Sequence, residues 1–136
     1  MPYALELGLD DRAAAEAELT RFAGEAAPVP ITLASVRFFP QVALFLAPTV
    51  TAALLELQAG LHARFSRVGA APWGHYRPGV WVPHCTLATD VTAEQFTRAL
   101  EVARRVALPI ACRLVEIGIV EFRPVKQLIS RPLGRL

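Results

Sequence analysis

Lysine is almost missing from this chain: Lys126 is the single one among 136 residues and fourteen basic side chains. Charge of either sign is sparse, with 19% charged residues and a formal net charge of +2. That mild basicity admits a phosphate-bearing ligand, but it falls short of the dense cationic surface that non-specific duplex binding requires. Histidine is confined to His62, His75 and His84, and cysteine to Cys85 and Cys112. No cysteine–histidine metal cluster can be assembled from that spacing, so neither metal nor cofactor is expected. Two thiols in apolar stretches read as buried and reduced. A Gly-rich phosphate loop and a nucleophile elbow are both lacking, which removes the chemistries that depend on them.

No apolar run reaches the ~18 residues of a membrane span. Glu6, Asp10 and Asp11 stand where a secretory leader would be basic. The expectation is a cytoplasmic protein that does not contact membrane. What the chain does have is apolar bulk: 54% hydrophobic residues, ample for one core and unlike a disordered chain.

Pattern and punctuation divide that bulk into alternating elements. Residues 3–9 predict a strand ending at Asp10-Asp11, which caps a helix with Ala15, Leu19 and Phe22 on one face and Gly24 as its stop. Ile31–Val36 and Val42–Ala47 predict a hairpin turning at Pro40. Thr51 caps the longest helix, in which Leu54, Leu57, Leu61, Phe65 and Val68 repeat at helical spacing up to Gly69. Residues 69–80 read as a loop, though one holding Trp73, His75, Tyr76 and Arg77. Trp81–Ala88 predicts a strand, and Thr92-Ala93-Glu94-Gln95 has the form of a capping box opening a helix with Phe96, Leu100 and Ala103 buried. A long strand over Ile110–Phe122, with a bulge at Gly118, then pairs with Val125–Ser130. Strand, helix, strand, strand thus occurs twice.

Within Pro83-His84-Cys85-Thr86-Leu87, alternation puts His84 and Thr86 on one side of a strand and Cys85 and Leu87 in the opposite layer. A histidine exchanges protons near neutral pH, and a neighbouring hydroxyl donates to a non-bridging phosphate oxygen. The same pair would serve equally as ordinary strand residues, so the flanks matter. His75 to Ala88 as a whole resembles the second motif of the 2H phosphoesterase superfamily, which includes the 2′-5′ RNA ligase-like proteins and carries two His-x-Thr/Ser-apolar motifs. Ile31–Pro48 is similar to that family's central hairpin, and Val120–Val125 to its closing one.

The resemblance implies an α+β fold of duplicated strand–helix–strand–strand lobes around a central cleft, without the family's opening strand and helix. It implies one domain over residues 1–136, with lobes at about 1–48 and 82–131 joined by a helix and loop at 49–81. It also implies a metal-independent phosphodiesterase that opens 2′,3′-cyclic phosphates on RNA ends or small cyclic nucleotides. One histidine would act as general base and its partner as general acid. His84 and Thr86 fill one motif as the catalytic pair. Arg77, as a phosphate clamp, and Tyr76, as a stacking ring, precede it as substrate-binding candidates; Tyr3 is a third, on the strand of Tyr3 to Leu7 that His84 and Thr86 are expected to face across the cleft.

The first motif is not there. Aligned on Pro2 against Pro83, Tyr3 and Leu5 stand where histidine and threonine belong; aligned on the caps Asp10 and Asp90, Ala4 and Glu6 do, and either way the earliest histidine is His62 in the linking helix. Three readings follow: a degenerate member that keeps the fold and a ligand pocket but has lost turnover, a half-site completed in a homo-oligomer, or a substitute acid or base from Tyr3, Glu6 or His75. The last suits the chemistry least, because an unperturbed tyrosine pKa of ~10 makes a poor base. A non-catalytic nucleotide- or RNA-binding or dimerisation module that keeps the fold is the alternative from another class.

Overall fold

The computed structural model describes residues 5–6, 12–69, 71–72, 74–121 and 124–134. The expectations placed on Tyr3, on the Asp10-Asp11 cap and on the Phe122-Arg123 turn lie outside them. In chain order the elements are β1 (Leu5–Glu6), α1 (Arg12–Glu25), β2 (Val29–Phe39), β3 (Ala43–Pro48), α2 (Ala52–Arg67), β4 (Ala71–Pro72), β5 (Cys85–Thr89), α3 (Ala93–Ala103), β6 (Ile110–Leu114), β7 (Glu116–Glu121) and β8 (Lys126–Pro132). A 3-10 turn covers Gly74–Tyr76. Two compact units result: residues 1–29, 51–82 and 113–136 form the first, and residues 30–50 and 83–112 the second. Each therefore draws on both halves of the sequence.

The first unit is a helix pair backed by strands. Ala15, Leu19 and Phe22 of α1 meet Leu61 and Phe65 of α2, with Ile117, Ile119 and Ile129 of β7 and β8 packed against them. Full burial of each large side chain contributes about 1.5–3 kcal/mol. The Thr51 hydroxyl accepts from the Leu54 amide at 3.3 Å and starts α2, and Gly69, at φ +75°, follows its end. Helix α1 runs through Gly24, where a stop was expected. A helical glycine weakens a helix without breaking it. Beyond it, Ala26 donates to the Phe22 carbonyl at 2.9 Å and Gly134 to the Ala23 carbonyl at 2.9 Å, satisfying the helix end.

Glu18 is buried in this helix pair, and burying a carboxylate is tolerable only with partners. Arg21 donates to its Oε2, and Arg64 Nη1 lies 3.3 Å from its Oε1 while also pairing with Glu25. The Arg21 hydrogen bond, reinforced by Arg64, holds the Glu18 carboxyl below its ordinary pKa against the opposing effect of burial.

The expected strand over Ile110–Phe122 is interrupted at Val115: β6 joins the sheet of β2, whereas β7 pairs with β8. The bulge expected at Gly118 falls elsewhere. Ile119 opposes Ile129 but Val120 opposes Gln127, so Leu128 is the extra residue. Gly118 instead answers a close approach, since a Cβ there would stand 2.7 Å from the Ile129 carbonyl oxygen.

The second unit is built on an antiparallel hairpin. Phe39 to Val42 form its turn, closed by the Val42 amide on the Phe39 carbonyl at 3.0 Å, with Pro40 second and Gln41 at φ +59° third. Proline's fixed φ followed by a left-handed residue is the backbone requirement of a type II turn. Strand β3, buried at all six residues, pairs with β2 on one side and β5 on the other, in the order β5-β3-β2-β6. The expected capping box of α3 is present, Thr92 and Gln95 exchanging bonds of 2.9 and 3.2 Å. Of that helix's expected buried stripe, Ala103 is buried and Phe96 half-buried, but Leu100 is 40% exposed.

Candidate functional site

Register decides what His84 and Thr86 can do. Phe45 opposes Thr86 and Leu46 opposes Cys85, yet Leu44 opposes Ala88, so Leu87 is an extra residue on β5. Opposed residues of an antiparallel pair share a face. Thr86 therefore lies on the Phe45 face and Ala88 on the Leu44 face, the bulge re-aiming the strand between them. Across the hairpin, Arg37 opposes Phe45 and Phe39 opposes Ala43, which adds both to the Thr86 face. The ring contacts agree: the His84 centroid is 5.3 Å from Phe39 and 5.5 Å from Phe45, and those two phenyl rings are 4.6 Å apart. Phe38 belongs to the opposite face, where its ring meets Phe96 of α3 at 5.2 Å. One face of the second unit's sheet thus carries His84, Thr86, Phe39, Phe45 and Arg37, and α3 contacts the other.

His84 is half-buried against the two phenyl rings, and Thr86 is exposed. Phe39 meets the imidazole edge-to-face and Phe45 meets it at a tilt, which fixes the ring's plane while leaving it half-exposed. Regular strand begins only at Cys85, four residues later than expected, because Pro83 lacks the amide that a ladder uses. Cys85 and Leu87 were expected in a packed layer. Both are exposed, Leu87 by 47%, since β5 is the sheet's edge and the bulge lifts Leu87 from the ladder. Cys85 is accordingly an exposed free thiol and Cys112 a half-buried one.

Tyr76 and Arg77 belong to the first unit. The loop that carries them is fixed to α2 by buried Gln58, whose Nε2 donates to the Tyr76 carbonyl at 2.6 Å. The Arg77 carbonyl accepts from Val80 at 3.2 Å and Trp81 at 3.0 Å, while its side chain is exposed. Burial pushes the Tyr76 phenol above its ordinary pKa, keeping it neutral and unsuited to act as a base. His75 is exposed in the 3-10 turn, and His62 is half-buried on α2. The structure brings His84 and Thr86 together; Tyr3 is outside the described residues. Among those residues, no group of three or more His, Cys, Asp or Glu side chains is gathered for a metal ion, and no helix is long and apolar enough to cross a membrane.

Sequence reading missed Phe39, Phe45 and Arg37 as part of this face. The available signal was alternation along 35–39 and 43–47, which becomes informative only once the turn at Phe39–Val42 sets the register.

The family model of the 2′-5′ RNA ligase superfamily matches residues 4–125. The chain belongs to that superfamily. Its fold is that of two solved structures, a phosphoesterase and E. coli LigT complexed with 3′-AMP. Each has a TM-score of 0.60 at 16% identity, over 96% of this chain and 72% of the other. No curated protein sequence matches it. The resemblance read from residues 75–88 and the α+β fold class are thereby borne out.

Proposed function

We propose that this superfamily member binds RNA ends or small cyclic nucleotides in the cytoplasm through the His84–Thr86 face and opens their 2′,3′-cyclic phosphates with a slowed turnover. The observation that carries the reading is the shared face: a half-exposed imidazole packed on Phe39 and Phe45, and an exposed hydroxyl whose register opposes Phe45. Thr86 donates its hydroxyl proton to a non-bridging oxygen. His84 moves one proton, either from the attacking water or to the departing ribose oxygen, and solvent serves the other role. Tyr76, Arg77 and Tyr3 are the further substrate contacts in this reading. Removing one acid–base partner typically costs about 10²–10⁴ in rate, which sets the expected deficit against a two-histidine site.

The test incubates the protein with an RNA oligonucleotide ending in a 2′,3′-cyclic phosphate and compares it with His84→Ala. Slow opening that the substitution abolishes supports the proposal; equal rates remove His84 from the chemistry. The absence of any histidine before His62 favours a second reading, binding without turnover. Under it, 3′-AMP binds, His84→Ala weakens the binding, and no product forms.

A further inference from the structure

We infer that Arg37 supplies the cation that grips the phosphate presented to His84 and Thr86, making it a substrate-binding residue of that face. This rests on the functional reading above and adds a residue to it.

Three observations carry the inference. First, Arg37, Phe45 and Thr86 lie in one row across β2, β3 and β5, each opposed to the next. Paired Cα atoms on neighbouring strands are about 4.5–5.5 Å apart, so Arg37 and Thr86 are about 10 Å apart at Cα, with their side chains on the same face. A guanidinium carried on a long arm can span that separation to a phosphate held by the short Thr86 hydroxyl. Second, Arg37 is the one formally charged residue in Val29–Phe39, Ala43–Pro48 and Cys85–Thr89 taken together. No carboxylate on those strands neutralises it. It enters none of the ion pairs among the described residues, nor does Arg105 of the same unit, whereas Arg98 and Arg104 pair with Glu94 and Glu101. Third, Arg37 is exposed, and an exposed, unneutralised arginine has a fork of donors available for an anion.

The experiment is calorimetric titration of the full chain with 3′-AMP and, separately, adenosine, using wild type, Arg37→Ala, Arg37→Lys and His84→Ala. Arg37→Ala is expected to weaken 3′-AMP about tenfold to a hundredfold, the range of a charge-assisted hydrogen bond, and to leave adenosine affinity and the melting temperature unchanged. Lysine keeps the charge but not the fork, so Arg37→Lys falls between; it carries the test if the alanine variant fails to fold. Wild-type affinity in both Arg37 variants, with His84→Ala weakened, overturns the assignment and leaves the functional reading standing. Equal losses for 3′-AMP and adenosine also overturn it, because the contact is then not to phosphate. If wild type binds no 3′-AMP, the functional reading fails and Arg37 fails with it.

Discussion

The two compact units use the same apolar composition for different ends. In the first, two helices close over β7 and β8, and even a carboxylate, Glu18, is taken inside with its arginines. In the second, a fully buried strand, β3, supports a face on which Thr86 and Arg37 remain exposed and His84 half-exposed. Buried Glu18 of the first unit is taken up by its arginines, whereas Thr86 and Arg37 on the second unit's face stay exposed. Burial and availability are alternatives for a polar side chain.

Substitutions can break that contrast. The largest effect is expected from Phe65→Ala, which empties a site 2% exposed in the helix pair: about 3–5 kcal/mol lost in urea unfolding. A loss below about 1 kcal/mol would remove the first unit's core from the account. Gly118→Ala should cost about 1–3 kcal/mol by the same measurement, because the new methyl meets the Ile129 carbonyl oxygen of the pairing strand.

Glu18→Gln sharpens the comparison through pH. The folded chain holds the Glu18 carboxyl below its ordinary pKa, so the ionised form adds stability above the carboxylate range. That contribution is lost as pH falls through the lowered pKa. The variant should therefore melt several degrees lower than wild type at pH 7, with the gap closing under acid. A gap constant with pH contradicts the ion-pair account. The smallest stability effect belongs to the other unit: Thr86→Val should stay within about 0.5 kcal/mol of wild type while weakening 3′-AMP.

Much of this contrast was legible in the sequence. The spacing of Leu54, Leu61 and Phe65 predicts their shared burial, and the cap residues Thr51 and Thr92 mark their helices correctly, because both signals are local. The motif at His84 and Thr86 was visible for the same reason. What escaped was set by distant pairing. Leu87 looked like a core residue until the bulge opposite Leu44 and Phe45 lifted it out. Ile110–Phe122 looked continuous until its two ends joined different sheets at Val115. Arg37 fell outside the predicted Ile31–Val36 strand, and only the β2–β3–β5 register brings it to the Thr86 face.

The most direct test of the central claim is a titration of isotopically labelled protein with 3′-AMP, followed by nuclear magnetic resonance. The account predicts shifts concentrated at the His84 ring, the Thr86 amide and the Arg37 guanidinium, with the α3 residues Glu94 and Glu101 unmoved. Shifts that spare His84 and Thr86, or no shifts at all, would contradict it.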